Sequence, residues 1–265
     1  MQTTKGTVEM KTKIVITSGL LLAAVLSLTA APVEAQKPSS VQKAQFDENG
    51  SSFRFGEKTV TVAPNGYIVI KNSDKEIANV YFYGNTPYSS FFDNRIKIKK
   101  VPVAFTKKKT GVSSSSSDKE QNAFIIKGEI PYHKEGETEL LGDYTQTVSL
   151  TPDSKIRIRL QYTRPESAEK GSLSMVLRLP QAKSYTNDKE PKEFGEKWVE
   201  LKKKFPVIAN GTDADNTFRI ISIMMKQMWA VPGKQIHFVS IADKREPNIR
   251  IIEFELDFLN GKGQK

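Results

Sequence analysis

The chain has 265 residues, with 40 Lys and Arg against 30 Asp and Glu, and a net charge of +10. An apolar content of 38% is enough to build a core and argues against disorder of the whole chain. The absence of Cys excludes a disulfide scaffold, a thiol nucleophile and a thiolate metal site, and only two His are present. We therefore expect a protein that is not an enzyme and that holds no metal or cofactor.

The N-terminus has the parts of a secretory signal peptide. Two lysines precede an apolar run from Ile14 to Ala31, and Val33-Glu34-Ala35 places small residues at a cleavage site. We expect residues 1–35 to be removed by cleavage after Ala35 and the product to reach the periplasm, with the start left open between Met1 and Met10. A membrane anchor is the alternative, but the run is short and contains Ser and Thr. Because no second long apolar run follows, we expect no membrane insertion of the mature chain.

The mature chain has the pattern of an all-β protein. Residues 36–52 are polar and predict a flexible N-terminal arm. After this arm, apolar and polar residues alternate with a period of two, which predicts antiparallel strands that are buried on one face. Turn signals such as Pro64-Asn65-Gly66 and Pro232-Gly233 separate these segments. The predicted strands cover 59–62, 67–70, 79–83, 95–99, 124–126, 147–150, 155–160, 172–179, 218–225, 235–241 and 249–258.

A composition break divides the predicted strands into two blocks. The polar segment Gln181–Glu193 carries Pro191 and predicts an interdomain linker. The blocks on its two sides, 53–180 and 194–265, have sizes that suit small sandwiches. The sequence therefore predicts two immunoglobulin-like β-sandwich domains after a cleaved signal peptide.

Both blocks contain characteristic combinations of a turn followed by a strand. The stretch Val60–Val80 contains a Pro-x-Gly turn before a strand that ends in Asn. The stretch Leu150–Pro180 contains a Leu-x-Pro turn, a strand with alternating Arg, and a Ser-Leu strand that ends at Pro. In the second block, Asn210-Gly211-Thr212 and Val231-Pro232-Gly233 each precede a strand. Together these features resemble the two domains of the periplasmic pilus chaperones of chaperone–usher systems.

The resemblance implies a function in pilus assembly. Such a chaperone donates an edge β-strand to an incomplete pilus subunit and delivers the subunit to an outer-membrane usher, with no nucleic acid involved. The donor strand would be Ser172–Leu179, whose alternate apolar side chains are Leu173, Met175, Leu177 and Leu179. These four side chains would fill the groove of the subunit; the alternative is that they fill the protein's own core. The resemblance also implies a basic pair that binds the subunit's terminal carboxylate, formed by Arg178 with either Lys58 or Arg54.

A second function class stays open, namely a secreted β-sandwich glycan-binding module or a polysaccharide lyase acting on an anionic polysaccharide. The aromatic run from Tyr81 to Phe92 is a sugar platform or, as we favour, core packing with a surface-facing tyrosine. Gln235-Ile236-His237 matches a tripeptide of some alginate lyases, whose other motifs are missing here. Basic alternation over 155–159 indicates a glycan patch or, as we favour, a solvated sheet face. The segment Asp213–Asn216 predicts an Asx-rich turn rather than a calcium loop.

Overall fold

The structure is a computed structural model that describes residues 44–47, 51–85, 102–109, 120–134, 137–163, 172–213 and 216–259. The predicted signal peptide with its cleavage site, and the predicted strand 95–99, lie outside these residues. Within the described part of the chain, no helix has the length and hydrophobicity that a membrane span requires.

The described residues are all-β. The strands are β1 (Gln45–Asp47), β2 (Ser52–Phe55), β3 (Lys58–Val62), β4 (Ile68–Asn72), β5 (Lys75–Asn85), β6 (Val103–Lys109), β7 (Glu120–Lys134), β8 (Glu137–Leu150), β9 (Ile156–Thr163), β10 (Ser172–Arg178), β11 (Ser184–Thr186), β12 (Pro191–Glu193), β13 (Val199–Glu200), β14 (Val207–Asn210), β15 (Phe218–Met224), β16 (Gln227–Val231), β17 (Gln235–Val239), β18 (Ile241–Ala242) and β19 (Ile249–Phe258). Period-two alternation in the sequence thus produces strands, as predicted.

The described strands form two antiparallel sheets that pack as a sandwich. The nine-stranded sheet has the order β1-β2-β3-β4-β5-β10-β17-β16-β13. The ten-stranded sheet has the order β12-β11-β14-β15-β19-β9-β8-β7-β6, with β18 paired to β19. Their inner faces share one hydrophobic core, in which Phe238 of the first sheet stacks on Phe254 of the second at 4.2 Å between ring centroids.

The two sheets do not separate into the two predicted domains. Strand β10 pairs with β5 on one side and with β17 on the other, and β9 pairs with β19. Each sheet therefore combines strands from before and after the predicted linker, and Val41–Lys265 is one compact unit. These pairings join segments that are distant in the chain, which is why the polar segment Gln181–Glu193 does not separate two domains.

The predicted linker and the predicted flexible arm also contain strands. Within Gln181–Glu193, β11 and β12 pair as a hairpin, and the buried Tyr185 packs on Phe194 at 4.9 Å between ring centroids. The predicted arm, residues 36–52, contains β1, which pairs with β2, and Phe46 of β1 stacks on Phe53 of β2. In both cases aromatic side chains attach a mostly polar segment to the core, because a buried ring removes a large apolar area from water.

Candidate binding face

The predicted donor strand is an interior strand. Leu173, Met175, Leu177 and Leu179 are fully buried and belong to the shared core. Because β5 and β17 occupy both hydrogen-bonding edges of β10, this strand has no open edge to offer a subunit. The prediction that Ser172–Leu179 is an accessible edge is therefore wrong, and the alternative of core packing is correct.

The predicted carboxylate anchors do not come together. Lys58 points to the core side of its sheet, with Nζ 5.3 Å from the centroid of the Phe258 ring, whereas Arg178 is exposed on the opposite face. Three strand steps separate Lys58 from Arg178, which is about 14 Å at ordinary strand spacing. Arg54 lies one strand further away and donates a hydrogen bond from Nε to the carbonyl oxygen of Gly56. Neither Lys58 nor Arg54 can therefore share one carboxylate with Arg178.

The alternating basic residues of β9 are neutralised by the neighbouring strand. Arg157 donates from Nε to Oε1 of Glu255 at 2.8 Å, and Arg159 donates from NH1 to Oε2 of Glu253 at 2.7 Å. Both carboxylates are almost buried beneath these guanidinium groups. The outer face of the ten-stranded sheet is therefore an internally paired ladder of charges and not a patch that attracts anions.

The outer face of the nine-stranded sheet has a different character. In the middle of this sheet, residues of β5, β10, β17 and β16 lie side by side in register. One row is Tyr81, Val176, His237 and Trp229. The neighbouring row is Asn79, Arg178, Gln235 and Val231. Since the alternate residues of these strands fill the core, both rows face away from it.

Aromatic rings stand at both ends of the first row. At one end, Tyr67 stacks on Tyr81 with 6.2 Å between ring centroids. At the other end, the centroid of the Trp198 ring lies 6.4 Å from that of Trp229 and 4.9 Å from that of His237, edge to face. All four Tyr and Trp rings are half-buried. We refer to the four rings together with Arg178, Gln235 and His237 as the aromatic face.

The carboxamide of Gln235 is held between two neighbours. Its Oε1 accepts a hydrogen bond from the hydroxyl of Tyr81 at 3.3 Å, and Nε2 of His237 lies 3.3 Å from the same oxygen. Because that oxygen is an acceptor, the contact requires the proton of His237 to be on Nε2. The amide nitrogen of Gln235 is then left as the donor of this group.

Two buried polar atoms of this face are unsatisfied. Nδ1 of His237 and Oδ1 of Asn79 have no hydrogen-bond partner among the described residues. The amide nitrogen of Asn79 donates to the carboxylate of Glu76. Unsatisfied polar groups inside a folded protein reduce its stability and are concentrated at functional sites.

Burial lowers the pKa of His237 from 6.5 to about 4. The imidazole is therefore neutral at neutral pH, which agrees with its single proton on Nε2. His237 contacts Oε1 of Gln235 through Nε2 and packs edge to face with Trp198, so its role is to position these two neighbours.

The lowered pKa of His237 predicts a loss of stability in acid. Because the unfolded chain binds the proton first, stability is complete above about pH 6.5 and is lost progressively down to about pH 4, at about 1.4 kcal/mol per pH unit. Between pH 7.5 and 4.5 the wild type should lose about 2–3 kcal/mol more than His237→Gln. Urea unfolding of both proteins at the two pH values measures this difference. Parallel pH profiles would contradict a buried neutral imidazole.

A cleft of about 340 Å³ adjoins the aromatic face across β13. Lysine and acidic side chains of the β11–β12 hairpin line it together with β13. The two sides of the cleft are bonded to each other. Asn187 accepts a hydrogen bond from the backbone nitrogen of Lys202 at 2.7 Å, and the side chain of Lys202 forms an ion pair with Asp188. Among the described residues, no group of three or more acidic or imidazole side chains is arranged to hold a metal ion.

Sequence reasoning identified only part of this face. It named the aromatic run that begins at Tyr81 and favoured core packing for it, and it gave no role to the tripeptide with Gln235 and His237 because the other lyase motifs are missing. It overlooked Trp198 and Trp229, which are the two tryptophans of the chain. The available signal was the position of Trp229 between Met228 and Ala230, which places it on the outward side of a strand.

No protein-family model matches the chain, and no curated protein matches it. Among solved structures, the fold is similar to a protein of glycosyl hydrolase family 38 from Enterococcus faecalis, with a TM-score of 0.55 and 9% sequence identity over 81% of this chain. An α-mannosidase from Enterococcus faecalis V583 matches equally well. The matched region spans 31% and 30% of these two chains, less than a third of each. At this identity the likeness shows the β-sandwich fold alone.

Proposed function

We propose that this protein is a carbohydrate-binding module whose binding site is the aromatic face. The observation that carries the proposal is that both tryptophans of the chain lie half-buried on one sheet face, beside a fixed carboxamide. Aromatic side chains that stand together with a few fixed polar groups are a common composition of ligand-binding sites.

The chemistry of the face suits a sugar. The C–H groups of a pyranose ring are apolar and pack on aromatic rings, while its hydroxyl groups exchange hydrogen bonds with planar polar side chains. The stacked pair of Tyr67 and Tyr81 and the pair of Trp198 and Trp229 would provide two stacking positions. Gln235 between them would provide a hydrogen-bond donor whose orientation is set before the ligand arrives.

The test is a titration with oligosaccharides followed by tryptophan fluorescence. Because both tryptophans belong to the face, binding should change the emission of the wild type without an added label. Trp229→Ala should weaken binding about tenfold, equivalent to about 1.4 kcal/mol, as measured by calorimetry.

Ile223→Ala is the matched control, since Ile223 is an apolar side chain exposed by 42% on the ten-stranded sheet. It should bind like the wild type. Failure of every neutral and acidic oligosaccharide to bind, or unchanged binding by Trp229→Ala, would reject the proposal.

A further inference from the structure

We infer that the aromatic face selects acidic sugars, and that Arg178 binds the sugar carboxylate. This inference rests on the proposed function and specifies its ligand class. It starts from the position of Arg178, which lies in register between Asn79 and Gln235 and next to the row that carries the aromatic rings.

The charge of Arg178 is not neutralised within the described part of the chain. No acidic side chain there forms an ion pair with it, in contrast to Arg157 and Arg159 on the other sheet. The nearest described carboxylate along the neighbouring strand, that of Glu76, accepts a hydrogen bond from Asn79. Arg178 is exposed and therefore keeps its guanidinium donors for a ligand.

A second cation stands at the same corner of the face. The backbone carbonyl of Lys234 accepts a hydrogen bond from the backbone nitrogen of Leu179, so the turn before β17 lies against the end of β10. Lys234 is exposed, and its Nζ lies 3.4 Å from the carbonyl oxygen of Pro180. This second positive charge makes the corner attractive to an anion.

The geometry favours a carboxylate attached to a sugar ring. A guanidinium group binds a carboxylate through two parallel hydrogen bonds, which a neutral hydroxyl cannot match. Since the amide of Gln235 and the ring of Tyr81 lie beside Arg178, one uronic acid residue can place its carboxylate on Arg178 and its ring on Tyr81. The class of ligand is therefore an oligosaccharide containing uronic acid.

The experiment compares acidic and neutral ligands of equal length on three proteins. Oligogalacturonate and a neutral oligosaccharide such as a mannan fragment are titrated into the wild type, Arg178→Gln and Arg54→Gln. Arg54 is an exposed arginine four strand steps from β10 and serves as the control for loss of one positive charge. Thermal unfolding of each variant verifies that the fold is kept.

We expect the wild type to bind the acidic ligand more tightly, and Arg178→Gln to weaken that binding about 10- to 100-fold while leaving the neutral ligand unchanged. Raising the salt concentration should weaken acidic binding by the wild type more than by this variant. Arg54→Gln should behave like the wild type with both ligands.

Three results would overturn the inference while leaving the proposed function intact. They are equal affinity for acidic and neutral ligands, equal effects of Arg178→Gln and Arg54→Gln, and no effect of Arg178→Gln. Absence of binding by either sugar class would reject the proposed function together with the inference.

Discussion

Replacing Leu177 by aspartate is expected to unfold the protein. Leu177 is fully buried in the core between the two sheets, on a strand that is paired on both sides. Aspartate at this position would either bury an unpaired charge or take up a proton and remain a poorly satisfied polar group, and it would also leave a void. The expected loss is more than about 4 kcal/mol.

Chemical denaturation followed by circular dichroism measures this loss. Thr61→Asp is the matched control, because Thr61 is exposed on β3 and the same charge there stays in water. That control should lose about 1 kcal/mol or less, through strand propensity alone. A Leu177→Asp variant that unfolds at the same denaturant concentration as the wild type would show that β10 is not an interior strand.

Replacing Gly66 by alanine should also destabilise the protein strongly. Gly66 has φ +76° in the turn between β3 and β4, and a Cβ atom there would lie 2.3 Å from Cε2 of the buried Phe82. The same turn offers the Gly66 carbonyl oxygen to Nε2 of the buried Gln146 at 3.0 Å, so the backbone has little room to move away. Strain and overpacking together should cost about 3 kcal/mol.

Two other glycines allow backbone strain and overpacking to be measured separately. Gly233 has φ +77°, but the atom nearest to an added Cβ is the side-chain nitrogen of Gln235 at 3.2 Å, which needs to shift by only a few tenths of an ångström, so Gly233→Ala should cost about 1 kcal/mol through its backbone. An added Cβ at Gly195 meets no atom within 4 Å, so Gly195→Ala should be nearly neutral. Equal stabilities of the three variants in urea unfolding would contradict the tight packing at Gly66.

The strands and one turn could be predicted because they depend on local sequence. Alternation over 155–160 became β9, with every second side chain buried. The predicted Asx-rich turn is confirmed, since the carboxylate of Asp213 accepts a hydrogen bond from the backbone nitrogen of Asn216 at 3.0 Å. In both cases the residues that determine the conformation lie within a few positions of each other.

The pairing of the strands depends on contacts between distant residues, and the sequence analysis missed it for that reason. A stripe of apolar residues at spacing two is the same for an edge strand and an interior strand. What distinguishes β10 is Val176, which makes Met175-Val176-Leu177 apolar on both faces and is itself fully buried. On the outer face Val176 lies in register between Tyr81 and His237, so its burial reflects a neighbouring strand on each side of β10.

The candidate site was predictable only in part, because residues from four strands and two connecting segments contribute to it. Tyr81 and Gln235 are separated by 154 positions in sequence, yet they share a hydrogen bond. Composition could indicate that two tryptophans and several tyrosines were present, but only the sheet order brings them to one face.

The position of β19 between β15 and β9 has a kinetic consequence. The ten-stranded sheet cannot become continuous until residues 249–258 are in place. In the other sheet, β10 can complete its pairing only after β17, which comes about 60 residues later in the chain, has formed. Closing such long loops precedes the favourable contacts, so we expect folding to be slow and cooperative, without a stable half-sized intermediate. Strands β1 to β5 and β6 to β9 can pair with their sequence neighbours early, but the edge of β9 would stay open and prone to association until β19 is made.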